Sequence, residues 1–411
     1  MSAAPSGVGR YRALFANRAV ALFVTALVFT RIGDQFVAFG LLWAALELTH
    51  SAVAAGLTLT VYSAALIAAG LFAASLLDRY PRKPLIVLDN AVRVVAIGAI
   101  AAAGWTHHLT LAALLTLAAA AAFASAITVV ATRAYLPTLV PEELIITVFA
   151  VDSTLYNIAS IAGPAMAGLV VSRYGASAAL AAGAFCFAVF VAIAAFIPTG
   201  ALDAGVAPET KPLSIAEELR GARYIVSNAV LRGVTLLTVG GNFFFTLCLV
   251  GLAFLSKDAL GAGARGQGWM LTAIAIGALG ASLALGTGRW RYSRGRAFIA
   301  VNFALGVLLA VLGFVPSLHV ALVLLVIVGA VDAAFFILMS ELRQRTPPPE
   351  LLARVIAASM ILNVLAMPLA NAATGFAVTA FGVRPMFVAA GILLVLYTAV
   401  FFANGALRKA P

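Results

Sequence analysis

Long apolar runs recur along almost the whole chain, each at least as long as the roughly 20 residues a helix needs to cross a bilayer. They fall near 19–46, 51–77, 84–104, 109–132, 145–172, 176–198, 229–256, 267–288, 297–315, 319–341, 354–380 and 384–404. Only helices and closed barrels can satisfy their backbone in lipid, and runs of this length predict helices. The expected fold is an all-α membrane protein with twelve transmembrane helices. Composition supports the choice of solvent: 64% of the 411 residues are hydrophobic and 10% are charged, against about half and a quarter in soluble domains.

The charges that exist sit in the turns. The formal net charge is +11, which in a soluble chain would suggest nucleic acid. Here no aromatic-interleaved basic surface or reader motif accompanies it, and nucleic-acid binding is excluded. With the N-terminus in the cytoplasm, twenty of the 26 lysines and arginines fall on inner segments. Arg173, Lys257, Arg265 and Arg384 fall on outer turns, and Arg31 and Arg93 fall within spans. That asymmetry is what the positive-inside rule demands, with both ends cytoplasmic. Cys186 and Cys248 lie inside apolar segments and read as small hydrophobes, not as a disulfide pair. No Asn-x-Ser/Thr sequon occurs, which fits a bacterial plasma (inner) membrane. The first apolar run lacks a small-residue cleavage site and is expected to stay as an anchor.

The longest connection, residues 199–228, divides the spans six and six. Residues 1–198 are expected to form an N-terminal six-helix bundle and residues 229–411 a C-terminal one. The linker opens Pro/Gly-rich, and Ser214 followed by Glu217 resembles a capping box for a short amphipathic helix. A faint repeat relates 140–175, "VPEELIITVFAVDSTLYNIASIAGPAMAGLVVSRYG", to 348–382, "PPELLARVIAASMILNVLAMPLANAATGFAVTAFG". Each has Pro-Glu before an apolar helix, small residues midway and an aromatic-Gly end. Two pseudo-symmetric six-helix halves are the architecture of alternating-access transporters, which bind substrate near the midplane.

Residues 74–83, "ASLLDRYPRK", lie between spans two and three. They resemble motif A of the major facilitator superfamily, G-x-L-a-D-R-x-G-R-K. Leu76, Asp78, Arg79, Arg82 and Lys83 match, while Ala74 and Pro81 stand where glycine is common. In span five, "AGPAMAG" resembles the antiporter motif C, with Gly163, Pro164 and Gly168 kept and Ala167 replacing a glycine. "RIGDQFVAFGLLWAALELTHSAVAAG", "RAYLPTLVPEEL" and "LRQRTPPPELLARV" are similar to the branch holding macrolide-efflux and enterobactin-exporter-like proteins. The resemblance covers nearly the whole chain. It implies the major facilitator fold, with Asp78 helping to latch the halves in an outward-open state. It also implies that spans one, four, seven and ten line the cavity. Here those spans offer Phe36, Phe39, Trp43, Ser125, Thr128, Asn242, Phe243, Phe335 and Phe336. Aromatics with few polar anchors suit amphipathic organic molecules better than sugars.

Ionisable residues at membrane depth are costly and raise functional hypotheses by default. Arg31 and Asp34 in span one sit about 18 and 22 Å from residue 19 at the helical rise, near mid-bilayer. Their i,i+3 spacing puts them on one face, where each can offset the other's desolvation. Either a permanent structural pair or a proton-coupling site fits them. Asp332 in span ten has no sequence-local cation and is a second proton-carrier candidate; Asp152 in span five is a gate or relay candidate. Asp89 and Arg93, i,i+4 in span three, are expected to lock helices beside motif A. Gly163-Pro164 is expected to bend span five, and Asn363, Pro368 and Asn371 in span eleven read as kink and interhelix bonds.

The expected function is secondary active transport: efflux of an amphipathic organic compound, a drug or siderophore, in exchange for protons. The expected partners are a small-molecule substrate, protons and membrane lipid, and the chain is expected to act as a monomer. The proton gradient is the energy source and no cofactor is expected. No G-x-x-x-x-G-K-[ST] loop exists to bind ATP. No interfacial cluster suits prenyl or acyl transfer, so an enzyme is not expected. Two alternatives stay open. One is an importer or facilitator. The other is a metal-ion exporter, because "GDQFVAFG" loosely resembles ferroportin-like chains, with Asp34 and Cys248 as ligand candidates; the His107-His108 pair reads as an exposed loop.

Overall fold

Apolar on every face, these segments have no water side to prefer, so each closes its own backbone hydrogen bonds and packs by shape. The computed structural model describes residues 8–197, 215–285, 293–403 and 405–408. The side chain of Asp78 lies outside the described residues, as do Ser214 and the first part of the 199–228 linker.

The chain divides into two compact units, Met1–His50 with Val61–Glu209 and Ser51–Thr60 with Thr210–Pro411. The first half of the chain carries α1 (Val8–Ala16), α2 (Arg18–Thr49), α3 (Ala52–Arg79), α4 (Arg82–Trp105), α5 (Leu111–Tyr135) and α6 (Ile145–Ala195). The start of α3, residues 51–60, goes with the second unit. Next come α7 (Ile215–Ser227), α8 (Ala229–Phe254), α9 (Gly263–Leu285) and α10 (Arg294–Leu312). Last are α11 (Leu318–Arg345), α12 (Pro349–Phe381), α13 (Val383–Phe402) and the short α14 (Gly405–Arg408).

Among the described residues, eleven helical stretches are long and apolar enough to cross a membrane. One of them is two spans. Inside α6 the backbone at Gly175 turns to φ 80°, ψ 171°, which no residue with a Cβ adopts comfortably, and the helix restarts at Ala176. Counting both halves of α6 gives the twelve expected spans. Gly382, at the end of α12, adopts φ 81°, ψ 164°. The two aromatic-Gly ends of the sequence repeat therefore share one backbone conformation.

In the first unit the restart of α6 is capped from another helix. Both oxygens of Glu47, near the end of α2, accept the backbone N–H of Ala176 at 3.1 Å. A carboxylate is well placed at a helix N-terminus, where N–H groups lack partners. The N-terminus of α2 is capped by Asn17, which accepts from Ala19 N–H and donates to the Leu139 carbonyl. A dry core forms around Phe23 and Tyr135, whose rings meet edge to face at 5.1 Å.

The second unit packs Val234, Leu237, Phe298, Phe335 and Leu338 into its main core, with Phe298 stacked on Phe335 at 4.9 Å. Helices α9 and α11 cross at their closest where Gly277 faces the Val326 carbonyl and Gly329 the Ile274 carbonyl; a Cβ at either site would strike backbone. Buried Asn302 donates to Thr398 Oγ1 at 2.9 Å, joining α10 to α13. The amphipathic helix expected in the linker is α7, which buries Ile225 against Leu231, Val355 and Ala358. Asn371 makes the interhelix bond expected of it, donating to the Leu59 carbonyl at 3.1 Å, whereas the Oδ1 atom of Asn363 is buried with no partner.

Candidate functional site

Polar residues that a sequence scatters over five spans converge in the first unit. A cavity of about 260 Å3 opens there between α2, α3, α4, α5 and α6. Arg31, Asp34 and Gln35 reach it from α2, Tyr62 from α3 and Arg93 from α4. Ser125 and Thr128 line it from α5, as expected, and Tyr156 from α6.

The ion pairs are not the ones that helix spacing predicts. Arg31 and Asp34 do not offset one another. The Arg31 guanidinium reaches across to Asp152 on α6 at 3.2 Å, with its Cζ 5.7 Å from the centre of the Tyr156 ring. Asp34 instead accepts from Arg93 on α4. The physical reason is burial. The Arg93 side chain is only 2% exposed, and a guanidinium taken so completely from water needs a carboxylate more than half-open Arg31 does. Arg93 also lies over the Phe187 ring, 3.6 Å from Cζ to the centroid, a contact that strengthens when desolvated.

Asp89 and Arg93, expected to lock helices, each bond a different neighbour: Arg93 holds Asp34 of α2 and Asp89 bonds α5. Its Oδ2 accepts the Thr128 backbone N–H at 2.9 Å, while its Oδ1 is buried with no hydrogen-bond partner. Beside it, buried Asn90 donates to Thr128 Oγ1 at 3.2 Å, and Thr30 donates to Asn90 Oδ1 at 3.4 Å. Tyr62 lies within electrostatic reach of Arg93, Asp34 and Asp89 and shares a hydrogen bond with Ser125.

Sequence reading missed Tyr62, Tyr156, Thr30 and Asn90. Tyr156 could have been found, since it stands one helical turn after Asp152. The others carried no signal beyond being polar inside an apolar run. Phe36, Phe39 and Trp43, expected on a cavity wall, are buried and do not line this one; Phe36 packs against Gly183 of α6. In the second unit Phe335 is core, while Phe336 is exposed and meets Phe335 edge to face at 5.9 Å. Asn242 and Phe243 are half-buried on α8. Asp332 on α11 makes no hydrogen bond or ion pair among the described residues, and its electrostatic neighbour is buried Cys248.

The turn between α3 and α4 serves the bundle as well as orientation. Lys83 donates to the Ile197 carbonyl at the end of α6, at 2.6 Å, where a cation suits both the open carbonyls and the helix dipole. Arg79 is exposed and Arg82 half-buried. In α6, Pro164 lies inside the helix, and Gly163 lets Gln35 of α2 approach so closely that a Cβ would sit 2.6 Å from its side chain. Gly168 is buried on the same helix. Among the described residues no three histidine, cysteine, aspartate or glutamate side chains come together as a metal site.

The sequence profile described as the Major Facilitator Superfamily matches residues 21–258, which is more than half of the chain. The chain belongs to this superfamily. It is a transporter and not an enzyme. It is 29% identical over 384 residues to an uncharacterised MFS-type transporter, y4rN, of Sinorhizobium fredii, covering 91% of this chain and 92% of that one. It is 26% identical to the multidrug efflux pump Tap of Mycolicibacterium fortuitum, covering 89% and 90%. It is 24% identical to the enterobactin exporter EntS of Escherichia coli, covering 85% and 88%. Among solved structures, a mutant of the nucleoside transporter NupG superposes with a TM-score of 0.76 at 16% identity, over 94% of this chain and 99% of that one. A bacterial homologue of the iron transporter ferroportin, in an inward-facing state, gives 0.69 at 16% identity over the same shares. At such identities these structures show the shared fold alone.

Proposed function

We propose that this superfamily member exports an amphipathic organic compound, of the drug or siderophore class, in exchange for protons. The observation that carries the reading is the charged cavity of the first unit. Five ionisable side chains, Arg31, Asp34, Asp89, Arg93 and Asp152, are gathered at membrane depth in a bundle otherwise built of apolar residues. Such groups are too costly there to be kept without a use, and carboxylates facing guanidiniums are the chemistry by which protonation can be coupled to another ligand. The cavity, at about 260 Å3, falls below the volume of a pocket for a whole drug-sized molecule. It suits protons, water and one polar end of a larger amphiphile. Similarity to a multidrug efflux pump and to an enterobactin exporter supports the outward direction. Asp332 is a second coupling group in this reading. The protein works as a monomer in the bacterial inner membrane, with both ends cytoplasmic, and its two halves alternate access to the substrate.

The test is accumulation in everted vesicles, with ethidium and enterobactin as probes. Proton-coupled efflux predicts uptake into the vesicles that collapses when an uncoupler is added. Uptake indifferent to the uncoupler would remove proton exchange from the reading and leave a facilitator.

A further inference from the structure

The charges around the cavity do not balance. Arg31 and Arg93 supply two cations, whereas Asp34, Asp89 and Asp152 supply three carboxylates. Arg31 holds Asp152 and Arg93 holds Asp34. Asp89 is left over. It is 1% exposed; among the described residues its hydrogen bonds come from Thr128 alone, backbone N–H and side chain, and its Oδ1 is buried with no hydrogen-bond partner. An ionised carboxylate offers about four lone-pair sites and is kept charged in a dry interior only when it is paired and well bonded. A neutral carboxyl bears such a bare buried oxygen at lower cost than an ionised one.

The neighbours of Asp89 are set by the helices packed on it. Its own helix presents Arg93 one turn away and neutral Asn90. Asp34 on α2 and Tyr62 on α3 lie within electrostatic reach of it, and Thr128 bonds it from α5. Arg93 is the sole guanidinium one turn along the same helix, with five donors in a fork. Asp34, which holds it, is the most open of the carboxylates, with 36% of its side chain exposed.

We propose that Asp89 is the proton-holding residue of this transporter and that Arg93 exchanges between Asp34 and Asp89. While Arg93 holds Asp34, Asp89 keeps a proton on Oδ1. When a cationic group arriving in the cavity takes Asp34, Arg93 turns to Asp89, the O–H bond breaks and the proton leaves to cavity water. The site is neutral in both states: two guanidiniums and three carboxylates are balanced first by one proton and then by one entering cation. Asp89 is thereby assigned a role in exchange beside the helix-joining bond it makes to α5. The inference rests on the proton-coupled reading of the same site.

Infrared spectroscopy of the purified protein in liposomes tests it without substrate or gradient. The C=O stretch of a protonated carboxylic acid is expected in the wild type at neutral pH. Asp89→Asn should lose the component that Asp89 contributes, read as a difference from the wild-type spectrum, whatever buried Asp332 contributes. Asp34→Asn should lose it as well, because Arg93 is then free to pair with Asp89. Asp332→Asn should keep it. A carboxylic-acid region that Asp89→Asn or Asp34→Asn leaves unchanged from the wild type overturns the proposal. Should Asp89→Asn fail to fold, Asp89→Glu decides: a band shifted in frequency supports the assignment, and an unmoved one overturns it. Uncoupler-insensitive flux in the wild type would defeat proton coupling itself, whereas uncoupler-sensitive flux without a band from Asp89 would defeat only this inference.

Discussion

Arg93 is the residue on which the stability of the first unit's polar core turns. Its guanidinium is stripped of water, braced by the face of Phe187 and held by Asp34. Breaking a buried pair from one side typically costs about 3–5 kcal/mol, because the remaining charge stays buried. Arg93→Ala leaves Asp34 without its cation and an emptied site against Phe187; with Asp34 36% exposed, the cost should fall at the low end of that range. Asp34→Asn should cost clearly less, because Asp89 stands ready to receive the same guanidinium. Arg31→Ala should also cost less than Arg93→Ala, since the Arg31 side chain is 21% exposed whereas that of Arg93 is 2% exposed and packed on the Phe187 ring, so its removal empties a buried site. Thermal unfolding of the three variants in one detergent gives the ranking, and an Arg93→Ala variant no less stable than Arg31→Ala would contradict it.

Elements in this bundle are ended and joined by a few specific devices. Gly175 and Gly382 close the two repeats in a backbone region essentially reserved for glycine, at a cost of about 1–3 kcal/mol for any other residue. Gly175→Ala and Gly382→Ala should each lower stability by that amount, seen as similar drops in unfolding temperature. An unaffected variant at either site would show that the shared conformation is not required. A second device is close approach: Gly277→Val should separate α9 from α11 because its side chain would meet the Val326 backbone. Proteolysis of that half, compared with the wild type, should become faster.

At this scale the sequence was partly legible. The aromatic-Gly ends of the repeat, the amphipathic α7 and the interhelix bond of Asn371 could be read because each depends on local pattern. The cap that Glu47 provides to Ala176 could not, since the two residues are 129 positions apart and nothing in either segment names the other. The burial of Phe36, Phe39, Trp43 and Phe335 could not be read for a related reason. In an apolar chain every helical face is oily, so hydrophobic periodicity does not say which aromatic faces a cavity and which faces a neighbour.

For the whole molecule, orientation is the property most directly open to test. Cys186 and Cys248 are both buried, so a membrane-impermeant maleimide should leave the wild type in intact cells unlabelled. On that silent background His108→Cys, in the exposed turn after α4, should label from outside. Tyr80→Cys, in the turn between α3 and α4, should label only after the membrane is opened. Labelling of Tyr80→Cys in intact cells would reverse the proposed topology.

The amino-acid order alone determined the solvent, the helical class, the twelve spans and the superfamily, because length of apolar run, charge in turns and short motifs are all local quantities. The tertiary structure decided which charge answers which. Two arginines and three aspartates on three spans admit several pairings, and i,i+3 spacing favoured the wrong one. The choice depends on how each helix is rotated against its neighbours and how deeply each side chain is buried, and rotation and depth exist only once the bundle is packed.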